Sequence, residues 1–231
     1  MPEMNEISLQ RISTAEAVAD TLVSLIVSGA LRAGEPLRES TLATKLGISR
    51  NSLREAIRLL ERSRLVKYEV HRGAVVSTPT VQNLDDLYRT RMHLELTAVQ
   101  QVPTIEQLAI LQEAFETLKK TSALKNAEPI VAADLAWHQA IVGLLGSERI
   151  SSFYQQICKE LVFYFTVLSY TDAEYINPTE SIVSRHESIH QAILAGDRDA
   201  ATALLRQHIE DNFERLRQIL TTATPAGAAT K

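Results

Sequence analysis

The chain has 231 residues, of which 45% are hydrophobic and 5% aromatic, with 8 Gly and 7 Pro. That is enough apolar material for one large or two small cores, and the wealth of Ala, Leu, Glu, Arg and Gln points to a mostly helical protein. A single cysteine, Cys158, excludes an internal disulfide framework and fits a cytoplasmic setting, while the net charge of −4 hides a basic stretch from Arg38 to Arg72 with 9 Lys and Arg against 4 Asp and Glu.

Met1–Gln10 lacks the basic-then-apolar order of a secretory signal. STAEAVADTLVSLIVSG then sets Val18, Leu22 and Ile26 four apart on one helical face, with Ser13 or Thr14 as cap and Gly29 as stop. ESTLATKL reads as a short helix, Gly47 permits a tight turn, and Ser49 caps a second helix. In that second helix Leu53, Ala56, Ile57 and Leu60 share one arc, and Arg50, Arg54, Arg58 and Arg62 form a stripe. The stripe alone reads first as a solvated face paired with Glu55 and Glu61, and only its flanks can move it toward DNA. Its setting favours a helix-turn-helix, whose second helix enters the major groove. Val66, Tyr68 and Val70 alternate, HRG turns and AVV returns, which predicts a two-stranded wing. Ser77–Leu84 reads as a linker.

PLRESTLATKLGISRNSLREAIRLLERSRLV followed by HRGAVV resembles the DNA-binding domain of the GntR superfamily of bacterial regulators. Leu37, Glu39, Leu42, Ala43, Leu46, Gly47, Ser49, Arg50, Arg54, Glu55, Ala56, Arg72 and Gly73 fit the family pattern. Asn51-Ser52 replaces the usual Thr-Pro, and Ser63-Arg64 replaces an acidic-Gly pair. The resemblance implies a winged helix over residues 1–78 that binds an operator. It assigns base or phosphate contacts to Arg50 and Arg54, adenine reading to Asn51, phosphate contacts to Ser49 and Ser52, and DNA contacts to Arg38, Arg72 and Gly73. Arg58 and Arg62 would meet the DNA backbone or plain solvent.

Six further helices are expected over residues 79–221, joined by short connections into an antiparallel bundle. They run through LDDLYRTRMHLELTAVQ, TIEQLAILQEAFETLKK, EPIVAADLAWHQAIVGLL, SERISSFYQQICKELVFYFTVLSY, ESIVSRHESIHQAILAG and DRDAATALLRQHIEDNFERLRQIL. The fourth is expected to break near Asp172, and Asp197 or Asp199 caps the sixth. Leu161–Tyr170 is apolar but too short to span a bilayer, so no membrane partner is expected. Residues 222–231 read as a disordered tail. Asp134 and His138 stand four apart on one helix, His186 and His190 four apart on another, and His208 lies on the last. By spacing alone these are metal ligands or satisfied core histidines.

DLAWHQAI, RHESIHQAILAGDRDAA and LLRQHI look like the FCD ligand-sensing domain of the FadR-type branch. The resemblance implies a divalent transition metal (Zn, Ni or Mn) held by Asp134, His138, His186 and His208, with His190 outside the ligand set. Arg185 stands where Glu often precedes the third ligand, and GSERI lacks a frequent Asn. Arg91 and Glu95 match a family Arg-x-x-x-Glu pattern. Arg91 would clamp a small organic acid, with Tyr88, Tyr164 and Asn212 completing the site, while spacing alone leaves an ordinary surface pair open. The implied function is a homodimeric transcriptional regulator, a repressor by family habit, whose grip on a pseudo-palindromic operator responds to that acid. A metal-dependent hydrolase carrying a DNA-binding module, and a regulator with a purely structural metal, are the alternatives. No catalytic residue is assigned.

Overall fold

The computed structural model describes residues 14–27, 29–124, 126–172 and 182–222. Among them are nine helices and one two-stranded sheet, divided into two compact units between Ser77 and Thr78. The expectations for Met1–Gln10, for Ser13 as a cap and for residues 223–231 lie outside the described residues.

In the first unit, α1 (Thr14–Val27) buries Ala15, Val18, Ala19, Leu22 and Ile26. Helix α2 (Glu39–Leu46) ends at Gly47, whose φ of 65° is the left-handed turn that glycine adopts without penalty. Ser49 then caps α3 (Arg50–Arg62), its side chain accepting from the Ser52 amide at 3.0 Å. Leu53, Ala56, Ile57 and Leu60 are buried as α3 packs on α1 and α2.

Strands β1 (Val66–Glu69) and β2 (Gly73–Val76) pair antiparallel, with Val66 opposite Val76 and Glu69 opposite Gly73. The wing corrects one reading. Val66, Tyr68 and Val70 do not share a buried face: Val66 is 2% exposed, Tyr68 49% and Val70 82%. Strand β1 ends at Glu69, so Val70 belongs to the turn, and the apolar contribution comes from Ala74, Val75 and Val76 of β2. The departure at Ser63-Arg64 also has a backbone consequence. Arg64 takes φ 55°, a left-handed conformation that costs a side-chain-bearing residue about 1–2 kcal/mol.

The second unit holds α4 (Val81–Val99), α5 (Ile105–Ser122), α6 (Ala127–Gly143), α7 (Glu148–Asp172), α8 (Ile182–Leu194) and α9 (Arg198–Thr222). Side-chain caps start five of them: Thr80 accepts from Asn83, Thr104 and Gln107 form a capping box, Asn126 accepts from Glu128, Ser147 accepts from Ile150, and Asp197 accepts from Ala200. The Thr80 cap starts α4 inside the expected linker, which is therefore shorter than Ser77–Leu84. Helix α9 runs through Thr222, one residue into the expected tail. Helix α6 packs against α4, α5 and α7, while α9 packs against α4, α7 and α8. Trp137, Tyr154 and Phe165 are among the largest fully buried side chains and touch the polar centre described next.

Candidate metal and effector site

Helix α4 buries Leu84, Leu87, Tyr88, Arg91, Glu95, Ala98 and Val99, a three-and-four spacing that carries Arg91 and Glu95 into the core with the apolar residues. The surface-pair reading of these two is therefore wrong. Arg91 is 1% exposed and Glu95 0%, and Arg91 Nε donates to Glu95 Oε1 at 2.6 Å. Glu95 Oε1 also accepts from the Tyr154 hydroxyl at 2.5 Å, and Oε2 lies 2.6 Å from His138 Nδ1. Burial pushes the Glu95 carboxyl upward, but Arg91 and His138 override it and hold it at about 2.

The four expected metal ligands converge. His186 Nε2 lies 2.7 Å from Asp134 Oδ1, His138 Nε2 lies 3.5 Å from the same oxygen, and His208 Nε2 lies 3.3 Å from His138 Nε2. Donor atoms of the three histidines all fall within 4.8 Å of one another. The rings are oriented from behind. His186 Nδ1 faces the Ile182 carbonyl at 2.6 Å, and that carbonyl only accepts, so Nδ1 carries the hydrogen. Glu95 fixes His138 in the same sense. So held, both rings present Nε2 toward Asp134 and His208. Three imidazole nitrogens with one carboxylate oxygen nearby are the kind of donor set that suits a divalent transition metal.

Burial opposes ionisation of Asp134, yet His186 and His138 keep its carboxyl well below the usual range. Burial, reinforced by His186 and His138, depresses His208 well below an ordinary imidazole. His190 stands apart from the set, as expected. Its Nε2 faces Gln112 Oε1 at 2.9 Å, Trp137 Nε1 donates to its Nδ1 at 3.5 Å, and its ring stacks on Phe115. Cys158 is buried beside the Leu135 carbonyl, and burial pushes its thiol up to about 12.

Three of the expected effector residues form a chain. The Arg91 guanidinium lies 5.4 Å from the centre of the Tyr88 ring, and the Tyr88 hydroxyl donates to Asn212 Oδ1. Arg91 Nη1 and Nη2 are buried with no hydrogen-bond partner among the described residues. Such an orphaned edge fits the two oxygens of a carboxylate. Tyr164 is buried on α7 against Phe163. Asn212 and His208 also line a cleft of about 280 Å³ between α8 and α9, together with Arg185, Ser188 and Arg215.

In the first unit, Arg38, Ser49, Arg50, Asn51, Arg54, Arg58, Arg62, Arg72 and Gly73 are exposed, and Ser52 is half-buried. Arg54 Nε donates to Glu39 Oε2 at 2.7 Å, and Arg72 to the Gly34 carbonyl at 2.9 Å and to Glu69. The Ser49 hydroxyl, besides capping α3, lies 2.9 Å from that of Ser52. Sequence reasoning missed the contacts of Glu95 with His138 and Tyr154. The apolar spacing around Arg91 and Glu95 was the signal for their burial.

Compared with known families, residues 14–76 match the model of bacterial regulatory proteins of the gntR family, and residues 86–211 match the FCD domain. The chain belongs to the GntR family, with an FCD domain. Among relatives of this GntR chain, the gluconate operon transcriptional repressor of Bacillus subtilis is 28% identical, covering 89% of this chain and 84% of that protein. A probable D-xylose utilization operon transcriptional repressor of Paenarthrobacter nicotinovorans is 26% identical, over 87% and 88%. A crystal structure of a putative GntR transcriptional regulator from Rhodococcus sp. RHA1 superposes with a TM-score of 0.76 at 28% identity, covering 92% of this chain and all of that one. GntR proteins of this kind are transcriptional regulators and not enzymes. Among the described residues no helix is long and apolar enough to cross a membrane.

Proposed function

We propose that this GntR-family regulator is a repressor whose operator affinity is set by a small organic acid bound beside a divalent transition metal. The observation that carries the reading is the meeting of Asp134, His138, His186 and His208 close to a buried Arg91 whose Nη1 and Nη2 have no partner among the described residues. Asp134 and the three histidines would hold the metal. Bound there, it supplies a positive centre for a carboxylate. Arg91 would grip the acid, Tyr88 and Asn212 would line its seat, and Tyr164 would close it from α7. Residues 1–78 serve as the DNA-binding domain, with Arg50, Asn51 and Arg54 toward the bases and Arg38, Ser49, Ser52, Arg72 and Gly73 toward the backbone. Residues 79–221 serve for sensing and dimerisation. A homodimer on a pseudo-palindromic operator follows from matching two winged helices to two half-sites.

The acid must act through unequal affinity for two arrangements of the dimer. Relatives named for gluconate and xylose operons put sugar acids first among candidates. The hydrolase alternative needs a free general base, and Glu95, the carboxylate behind the metal set, already accepts from three donors.

The test is thermal unfolding of zinc-loaded and chelated protein across small carboxylic and sugar acids. An acid at a hundred times its dissociation constant adds about 2.7 kcal/mol. A shift that requires zinc and disappears in His138→Ala supports the reading. A zinc-dependent midpoint that no acid moves favours a structural metal, or an effector outside the panel.

A further inference from the structure

Glu95 is where three helices of the second unit meet. It rises from α4, and its carboxylate receives Arg91 Nε at 2.6 Å from the preceding turn, Tyr154 from α7 at 2.5 Å and His138 Nδ1 from α6 at 2.6 Å. The guanidinium nitrogen and the hydroxyl donate, so Glu95 acts here as an ionised acceptor. We propose that Glu95 is the positioning residue of this centre, fixing the His138 imidazole toward the metal and the Arg91 guanidinium toward the acid with one carboxylate. The proposal rests on the metal-and-acid reading above and adds the residue that ties its two halves together.

Two features of the geometry carry it. An imidazole can turn about its χ2 bond and present either nitrogen, and an anionic acceptor behind Nδ1 selects the orientation that leaves Nε2 in front. The same acceptor makes Nε2 a better donor to a cation. The guanidinium is planar, so binding its Nε edge to Glu95 also sets the direction of Nη1 and Nη2, the two groups that have no partner among the described residues. Tyr154, on a third helix, holds the carboxylate between its two clients. His186 shows the contrast within the same site, because its Nδ1 is oriented by a neutral backbone carbonyl.

The experiment uses the full chain and zinc alone, with affinity read by chelator competition and coordination read from the visible absorption of the cobalt-substituted protein. Glu95→Gln should weaken zinc binding about 10–100-fold and alter the cobalt spectrum. Because that variant strands the Arg91 charge and could fail to fold, Arg91→Met is compared with the Arg91→Met/Glu95→Gln double variant, in which the charge pair is removed together. The same loss of about 10–100-fold between those two supports the proposal. Equal zinc affinity and equal cobalt spectra in the two would overturn the role of Glu95 while leaving the metal site intact. Wild-type protein that binds no zinc would overturn the metal reading and this inference with it.

Discussion

Truncating the buried Arg91–Glu95 pair from its two ends should not cost the same. Glu95→Gln leaves a guanidinium that is 1% exposed, already has two nitrogens without partners among the described residues, and has now lost its carboxylate. Stranding one member of a buried ion pair costs about 3–5 kcal/mol. Arg91→Met leaves Glu95 with the Tyr154 hydroxyl and His138 Nδ1, and it removes two buried unpaired donor groups. Each such group costs about 1–3 kcal/mol, so the two together, about 2–6 kcal/mol, offset most of the loss and leave a net near zero. The two variants should therefore differ by roughly 3 kcal/mol, or about 1.5 M in urea midpoint at a slope near 2 kcal/mol per molar. Urea unfolding in excess chelator measures this. The chain has 1 Trp, Trp137, buried in the second unit between His138 and His186, so its fluorescence follows that unit rather than the wing. Equal losses, or a larger one for Arg91→Met, would refute the idea that the Nη groups lie unpaired and that Glu95 is held from three sides.

Glu95 and Asp134 both have carboxyl groups depressed on folding, Glu95 from 4.5 to about 2. A depressed carboxyl stabilises above its unfolded value, so in the chelated protein the Glu95 contribution should be complete above pH ~4.5 and be lost as pH falls toward 2, by about 3 kcal/mol. Urea midpoints from pH 6 to 3 should show this slope, and an unchanged slope in Glu95→Gln would count against it. Arg64→Gly should relieve the left-handed strain before the wing, offset by the entropy of an added glycine, for a net gain of up to about 1 kcal/mol. Slower hydrogen exchange of the Leu65 amide, which donates to the Leu60 carbonyl, is the readout, and faster exchange would mean that Arg64 contributes more than its backbone costs. Arg54→Ala should weaken binding to the cognate operator by about 1–3 kcal/mol in a footprinting titration while leaving the far-ultraviolet spectrum unchanged. An unaltered footprint would remove Arg54 from the reading set.

The parts of the fold set by neighbours in sequence were legible. Gly47 and Ser49 act within a few residues of themselves, so the turn and the start of α3 fall where their chemistry puts them. The apolar arc of Leu53, Ala56, Ile57 and Leu60 was readable for the same reason, since helical periodicity is local. Asp134 and His138 were readable as a same-face pair, but His186 and His208 joined them only through the family pattern, because their closeness depends on how α6, α8 and α9 pack. Glu95 shows the limit. Its contact with His138 spans 43 residues and its contact with Tyr154 spans 59, and no periodicity reports such distances. The wing was legible as two strands, but not the extent of its first strand. A four-residue strand with its last valine in the turn is too short for alternation to select a face.

The two histidines that are oriented from behind differ in what a mutation could take from them. Ile182 supplies its carbonyl to His186 whatever side chain the position carries, so drift at that codon leaves the hydrogen bond in place. His138 depends on a side chain at a single codon, position 95. A change at position 95 therefore reaches His138 and Arg91 in a single step, whereas a change at position 182 leaves the contact of His186 in place.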